Sequence, residues 1–436
     1  MTEIAGIPYL DAQFDKNGSL QAPVALPAGV TDLFVISHGW NNNAEAARSL
    51  YQRFFTNFVA VARPDDLPGR RFAIVGVIWP SKEFDELVAI AGAPGGAQGA
   101  AGVHAADEGS RRAVEAKLDR MKELFTEPAE QQLLGDLKAL VPDLEDKASA
   151  RLMFVEKVRS LLNPSAANRE DASDSFFKGR GDDLMDNLKV DEEDLDADVA
   201  GPGGGASLPL GIGSTAAASG GAAAVTSLLA GFSVAALNVL NFSTYFEMKD
   251  RAGTVGRNGV ARLIDQLAPS VQKIHLVGHS FGGRVVAAAA ASSTTDKIAS
   301  MALLQTAFSH SGFSKRSNGF FRSVVDHQRV HGPILVTHTS NDTAVGIAYP
   351  LASRINGDRT AAFGDKDDVF GGLGRNGAQQ MQDGETIAGR LSAVGASYAF
   401  RAGAFFNLEA SEFIKSHGDV TGREVAHAIR KAMTQA

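Results

Sequence analysis

Gly278-His279-Ser280-Phe281-Gly282 is the stretch of this chain whose residue types and spacing point most directly to chemistry. A serine with glycines two before and two after it fits G-x-S-x-G, the pattern of a nucleophile carried on a sharp strand-to-helix turn. A chain with 46 glycines meets that pattern by chance often enough that five residues alone decide little. The flanks decide more: the apolar run KIHLV at 273–277 precedes the motif, and the helix-forming GRVVAAAAA follows it. A side chain at Gly278 or Gly282 would collide with the crossing strand or helix, and the strained turn pushes the serine Oγ into the open. The next backbone N–H, on Phe281, then lies at a helix N-terminus, where it can donate to an oxyanion. The competing reading is a glycine-rich turn with an ordinary N-cap serine.

A serine hydroxyl is protonated at neutral pH and needs a base. Ten histidines compete for that role. His279 lies inside the motif with its side chain directed into the fold, His275 sits in the preceding strand, and His104 comes ahead of the nucleophile in a different region. His310, His327, His331 and His338 fall before or within the next strand pair, and His427 lies in the middle of the last helix. His417 remains, in the polar turn Ser416-His417-Gly418-Asp419 between the last strand and the last helix. The alternative is a plain helix-entry residue.

The acid that orients such a histidine should follow a strand between the two. Ile334–Thr339 (ILVTHT) is that strand, and Ser340-Asn341-Asp342-Thr343 is the polar turn after it. Asp342 is the candidate; it could instead cap a helix over 343–351. Asp326 precedes the strand, Asp365, Asp367 and Asp368 sit in a charged glycine-rich loop, and Glu412 serves only a rearranged site. A second oxyanion donor is expected from the loop after an early strand. That loop is His38-Gly39-Trp40, with the Trp40 N–H as donor and His38 bracing the loop rather than acting as a base.

The elements that must position these residues alternate between strand and helix. DLFVIS at 32–37 and FAIVGVIW at 72–79 read as buried strands around a helix over 44–61, whose Leu50, Phe54, Phe58 and Val61 recur at helical spacing. Lys16-Asn17-Gly18 reads as a hairpin turn. Helices are predicted over 256–267, 281–291 and 421–433, and strands over 273–277, 300–304, 334–339 and near 399–407. Strand, helix and strand at this spacing specify a parallel sheet with crossover helices. Residues 1–84 and 246–436 form the two parts of that α/β core, and 85–245 are an insertion of different character.

Within the insertion, 107–162 are charged and helical. Leu118, Met121 and Phe125, then Leu133, Leu134, Leu137 and Leu140, recur at a spacing that ordinary helix packing explains. An acidic stretch at 182–198 follows, and Val199 to Phe246 contains no charged residue. Ala222–Leu240 is long enough for a membrane span, but it is rich in Ala, Gly, Ser and Thr and lacks basic flanks. A buried or substrate-facing lid helix is the leading reading; membrane contact through 222–240, interfacial or spanning, is the alternative.

VISHGW, LVGHSFGG, VTHTSND and SHGD, in that order, resemble the α/β-hydrolase superfamily, in its lipase and esterase branch, over about residues 30–85 and 250–436. TYFEMKDRAGTVG ahead of the motif is similar to bacterial members. The resemblance implies a mostly parallel, eight-stranded sheet with helices on both faces and a lid or cap formed by the insertion. It also implies a catalytic triad of Ser280, Asp342 and His417, an oxyanion hole from Phe281 and Trp40, and no cofactor.

The formal net charge of −8 speaks against nucleic acid, whose binding proteins carry a basic face. Absence of cysteine excludes thiolate metal sites and cysteine nucleophiles. The histidines lack zinc spacing, and neither an EF-hand nor a P-loop pattern is present. Glu3, Asp11 and Asp15 stand where a secretory signal needs a basic start and an apolar run, so the expectation is a cytoplasmic protein, with signal-independent export as the alternative. The expected reaction is hydrolysis of a small-molecule or lipid ester with a hydrophobic acyl or alcohol group. The alternatives are a membrane-directed phospholipase, an amidase or peptidase on the same triad, and a non-catalytic binding protein on this scaffold. No oligomeric state follows from the residues.

Overall fold

The computed structural model describes residues 2–63, 66–81, 101–169, 171–189, 231–342, 355 and 370–436. In chain order the main elements are β1 (Thr2–Ile4), β2 (Ile7–Gln13), β3 (Asp32–Ser37), α1 (Ala44–Ala60), β4 (Phe72–Ile78), α2 (Ala101–Met121), α3 (Pro128–Leu140), α4 (Ala148–Ser160), α5 (Ser173–Lys178) and α6 (Gly181–Leu188). They continue with α7 (Phe232–Thr254), a π-helical turn at Val255–Val260, α8 (Ala261–Leu267), β5 (Lys273–His279), α9 (Phe281–Ser292), β6 (Ile298–Leu304) and α10 (Arg322–Asp326). Last come β7 (Ile334–His338), α11 (Leu373–Asn376), β8 (Thr386–Arg390), β9 (Phe405–Glu409) and α12 (Arg423–Met433).

Two compact units emerge: Met1–Lys82 with Met248–Gly346 and Gly364–Ala436, and Glu83–Glu247 with Ile347–Phe363. The first is built on a nine-stranded sheet of order β1-β2-β4-β3-β5-β6-β7-β9-β8. Every neighbouring pair runs parallel except the β1–β2 hairpin. Parallel strands covered on both faces read as unbroken apolar runs, and β3, β4, β5 and β6 are buried almost throughout. Phe34 and Ile36 on one face of β3 join a core with Leu50, Phe54 and Phe58 of α1 and Val425, Ile429 and Met433 of α12. The opposite face carries α9, whose residues from Phe281 to Ala290 are all buried.

Among the described residues the expectation of eight strands is corrected to nine. β8 and β1 escape a reading of apolar runs because both are short edge strands with mostly exposed side chains. The helix expected over 256–267 begins instead with the π-helical turn, continuous with α7. Lys16-Asn17-Gly18 is a tight turn closed by Asp15 and Ser19 and by a bridge between Phe14 and Leu20. A second tight turn, Ala5-Gly6, closes the β1–β2 hairpin with both residues at positive φ.

The described part of the second unit is helical. Leu118, Met121, Phe125, Leu134 and Leu137 are buried within it, together with Phe154, Val155, Phe176 and Leu188. Glu145 satisfies the N-terminus of α7, accepting from the Phe232 N–H at 3.0 Å and the Ser233 N–H at 2.7 Å. Residues 190–230, with most of the acidic stretch and the first part of 222–240, lie outside the described residues. Among the described residues no helix is long and apolar enough to cross a membrane.

Candidate active site

Parallel strands β3, β5, β6 and β7 deliver their following loops to one edge of the sheet, and the sequence-predicted residues lie on those loops and on the loop after β9. Ser280 follows β5 directly, with φ 57° and ψ −127°, at the N-terminus of α9. A non-glycine residue in that region costs on the order of 1–3 kcal/mol and persists only where its surroundings hold it. Three residues do so. The Ser280 N–H donates to Leu304 O at 3.1 Å, and Ser280 O accepts from Gly283 N–H at 3.0 Å and Ala307 N–H at 3.2 Å.

The flanking glycines allow the turn to be this tight. A Cβ on Gly282 would lie 2.1 Å from Ser37 O, and one on Gly278 would lie 2.4 Å from Gly282 O. Gly39 brings the β3 loop to the serine itself: a Cβ there would stand 2.4 Å from the Ser280 Cβ and 2.9 Å from its Oγ. Gly39→Ala is therefore expected to displace either the loop or the serine. Overlap this deep between buried groups costs on the order of 1–3 kcal/mol, so the thermal midpoint should fall by a few degrees. A midpoint unchanged from wild type would mean that the β3 loop and the serine turn can separate without cost.

The loop around Gly39 is braced by buried polar contacts. His38 is fully buried, stacks on Trp79 at a centroid distance of 5.7 Å, and receives the Tyr51 hydroxyl oxygen on its backbone N–H at 2.9 Å. Its ring Nδ1 bonds Gly39 O at 2.9 Å, and the Trp79 N–H points at Nε2 at 3.4 Å, an arrangement that suits the neutral Nδ1–H tautomer. Burial pushes His38 down to about 4, so it stays uncharged near neutral pH. Asn42 donates to Trp40 O at 2.9 Å, closing the turn. Among the described residues nothing accepts from the Trp40 backbone N–H.

His417 and Asp342, 75 residues apart, meet: His417 Nδ1 lies 2.9 Å from Asp342 Oδ2 and 3.1 Å from Oδ1. The carboxylate is wholly buried and the imidazole about a quarter exposed. The two loops are fastened together by Asn341, which donates to Ile414 O at 3.0 Å and Ser411 O at 3.2 Å, and by the hydroxyl pair Thr339–Ser411 at 2.8 Å. His279, next to the serine, donates from Nε2 to His417 O at 2.9 Å, and the two imidazole rings sit 4.9 Å apart. Burial, and then the neighbouring His417, push His279 down to about 3. His279 therefore holds the His417 backbone as a neutral donor.

Gln305, Asn341, Thr339, Tyr51 and Trp79 were not among the candidates read from sequence, yet each holds a loop of this site. Gln305 had a signal of its own, as the first polar residue after the apolar run IASMALL. The helix over 343–351 that Asp342 was set to cap lies outside the described residues. Among the described residues no cluster of His, Asp and Glu could hold a metal ion.

No curated protein and no solved structure matches the chain. One family model, described as alpha/beta hydrolase fold, matches residues 228–329, a stretch that carries β5, the Ser280 turn, α9 and β6 but stops short of Asp342 and His417. Together with the largely parallel sheet and its helices on both faces, that match supports a hydrolase of the α/β-hydrolase superfamily.

Proposed function

We propose that the chain is a serine hydrolase that cleaves carboxylic esters through an acyl-enzyme on Ser280. The observation that carries this reading is the His417–Asp342 pair, assembled from two separate loops at the same sheet edge as the strained serine turn. In the proposed cycle the Ser280 Oγ attacks the ester carbonyl while neutral His417 takes its proton at Nε2. Asp342 holds the ring by Nδ1–H and stabilises the imidazolium. The Phe281 and Trp40 N–H groups receive the oxyanion, a type of contact in which one donor is worth about 3–4 kcal/mol of barrier. The tetrahedral intermediate then collapses, His417 protonates the leaving alcohol, and water repeats the sequence on the acyl-enzyme to release the acid. The preferred substrates carry a hydrophobic acyl or alcohol group.

A fluorophosphonate probe followed by peptide mass mapping tests the proposal. The expected adduct sits on Ser280, with p-nitrophenyl ester turnover lost in proportion to labelling. An adduct on another residue, or turnover that survives complete labelling of Ser280, would reject it. A series of acyl-chain lengths then defines the substrate, and release of fatty acid from phospholipid vesicles separates a phospholipase from an esterase acting on soluble substrates.

A further inference from the structure

The residue after β6 is Gln305, and its environment is unusual for a glutamine. It is wholly buried and its φ is 43°, the left-handed region that a non-glycine residue avoids unless held there. Its backbone N–H points at the Thr337 Oγ1 at 3.2 Å, and its neighbours Leu304 and Ala307 hold the N–H and C=O of Ser280. The side-chain amide donates to Gly374 O at 2.8 Å and to Asp342 Oδ2 at 3.2 Å. Gly374 O also accepts the Thr339 N–H at 3.0 Å, tying the β6 and β7 exits to one carbonyl. The Gln305 Oε1 is buried and has no partner among the described residues. A buried acceptor left in that state costs about 1–3 kcal/mol, so the side chain is not placed there for its own stability.

From this geometry we infer that Gln305 is a positioning residue, sharing the Asp342 Oδ2 with His417 and thereby fixing both the orientation of the carboxylate and the fraction of its charge that His417 feels. The inference rests on the roles proposed above for Asp342 and His417. An amide suits the place because it donates without adding charge; a carboxylate there would face a carboxylate. Without the amide hydrogen, more of the negative charge of Asp342 is directed at the His417 Nδ1–H. The imidazolium is then favoured, and the carboxylate loses a side-chain restraint. Among the described residues the other ionisable groups around the pair include His279 against the His417 ring, Arg375 on the backbone oxygens of Ser340 and Asp342, and Lys415 and Asp419 in the loop of His417. None of them replaces the lost donor on Oδ2.

Gln305→Met keeps the length of the side chain and removes both the donor and the stranded acceptor. Gln305→Asn suits the left-handed backbone but is one methylene too short to keep the same contact. In both, kcat for a p-nitrophenyl ester is expected to fall about 10- to 100-fold with KM within about threefold, and the acid limb of kcat/KM to move up by about half a pH unit or more. In an Asp342→Asn background the Met substitution should cost almost nothing further, since its effect runs through that carboxylate. Profiles superimposable on wild type in both variants, or an undiminished cost in the Asp342→Asn background, would overturn the assignment. The ring resonances of His417, followed by NMR against pH, supply a readout that does not need turnover. Their midpoint is expected to rise in Gln305→Met, and an unmoved midpoint rejects the role. Loss of the hydrolase reading itself is recognised separately, as absence of Ser280-dependent labelling and turnover in the wild type.

Discussion

Ser280→Ala and His417→Ala are each expected to lower kcat for a p-nitrophenyl ester by about 10⁴-fold or more, with folded protein recovered in both cases. Alanine removes only the Oγ from Ser280 and leaves the N–H and C=O contacts to Leu304, Gly283 and Ala307 in place, so the strained turn survives. Truncating His417 removes a partly exposed ring, while the contacts made by its backbone and by Asn341 still fasten the loop. The losses should therefore report chemistry rather than collapse. The proposed nucleophile and base would act as one unit, so the double variant should be no slower than the worse single one. Asp342→Asn should lose about 10⁴-fold as well, because an amide no longer enforces the Nδ1–H tautomer of His417. The Phe281 and Trp40 N–H groups remain in all of these variants, so residual turnover above the uncatalysed rate is expected. Rates within about tenfold of wild type for Ser280→Ala would reject the proposed nucleophile.

The candidate site was readable because a parallel sheet places chemistry where apolar runs stop. KIHLV ends at the motif of Ser280, ILVTHT at the turn of Asp342, and DLFVIS at His38-Gly39-Trp40. In each case the side chains that fill the core also announce the end of the strand. IASMALL ends in the same way at Gln305, but a glutamine has no acid or base chemistry to draw attention, and only its distance to Asp342 gives it a role. β8 reads TIAGR, with no residue fully buried, and β1 is three residues long, so neither leaves an apolar pattern to detect. The π-helical turn was hidden for a different reason. One extra residue in a helical turn barely alters the spacing of Val255, Val260 and Leu263, all of which stay buried. Interactions that fasten loops, such as Asn341 to Ile414, depend on three-dimensional proximity across more than seventy positions and have no local signature.

Acid should begin to destabilise this protein near pH 6.5, well above the range in which carboxylates ordinarily take up protons. Burial pushes His38 down to about 4 and His279 to about 3, and His275 and His338 are also lowered chiefly by burial. In the unfolded chain each histidine takes up a proton near pH 6.5. Between pH 6.5 and 4 the unfolded state therefore binds protons that folded His38 and His279 refuse, and stability falls as the pH falls. At about 1.4 kcal/mol per pH unit for each group, His38 and His279 alone should remove roughly 3 kcal/mol each by pH 4. That is a large share of the roughly 5–15 kcal/mol by which folded proteins are stable. At Asp32, Asp66, Asp265, Glu385 and Glu409 burial acts to raise the carboxyl, but hydrogen bonds and ion pairs together outweigh it and hold each below its ordinary value. Their stabilising contributions are lost only at lower pH, so they do not account for a decline that begins near pH 6.5. Urea unfolding at a series of pH values should show the stability falling steeply from pH 6.5 to 4. The slope should be reduced in His38→Asn and in His279→Gln, even if both variants are less stable at pH 8. A flat profile in wild type, or slopes unchanged in both variants, would show that these rings are protonated without penalty in the folded protein. Because His279 also holds the backbone of His417, turnover lost in this range through loosening of that loop should return only as fast as the protein refolds. Refolding a nine-stranded, largely parallel sheet is slow, so recovery of activity after a rapid return to pH 8 should be slow as well.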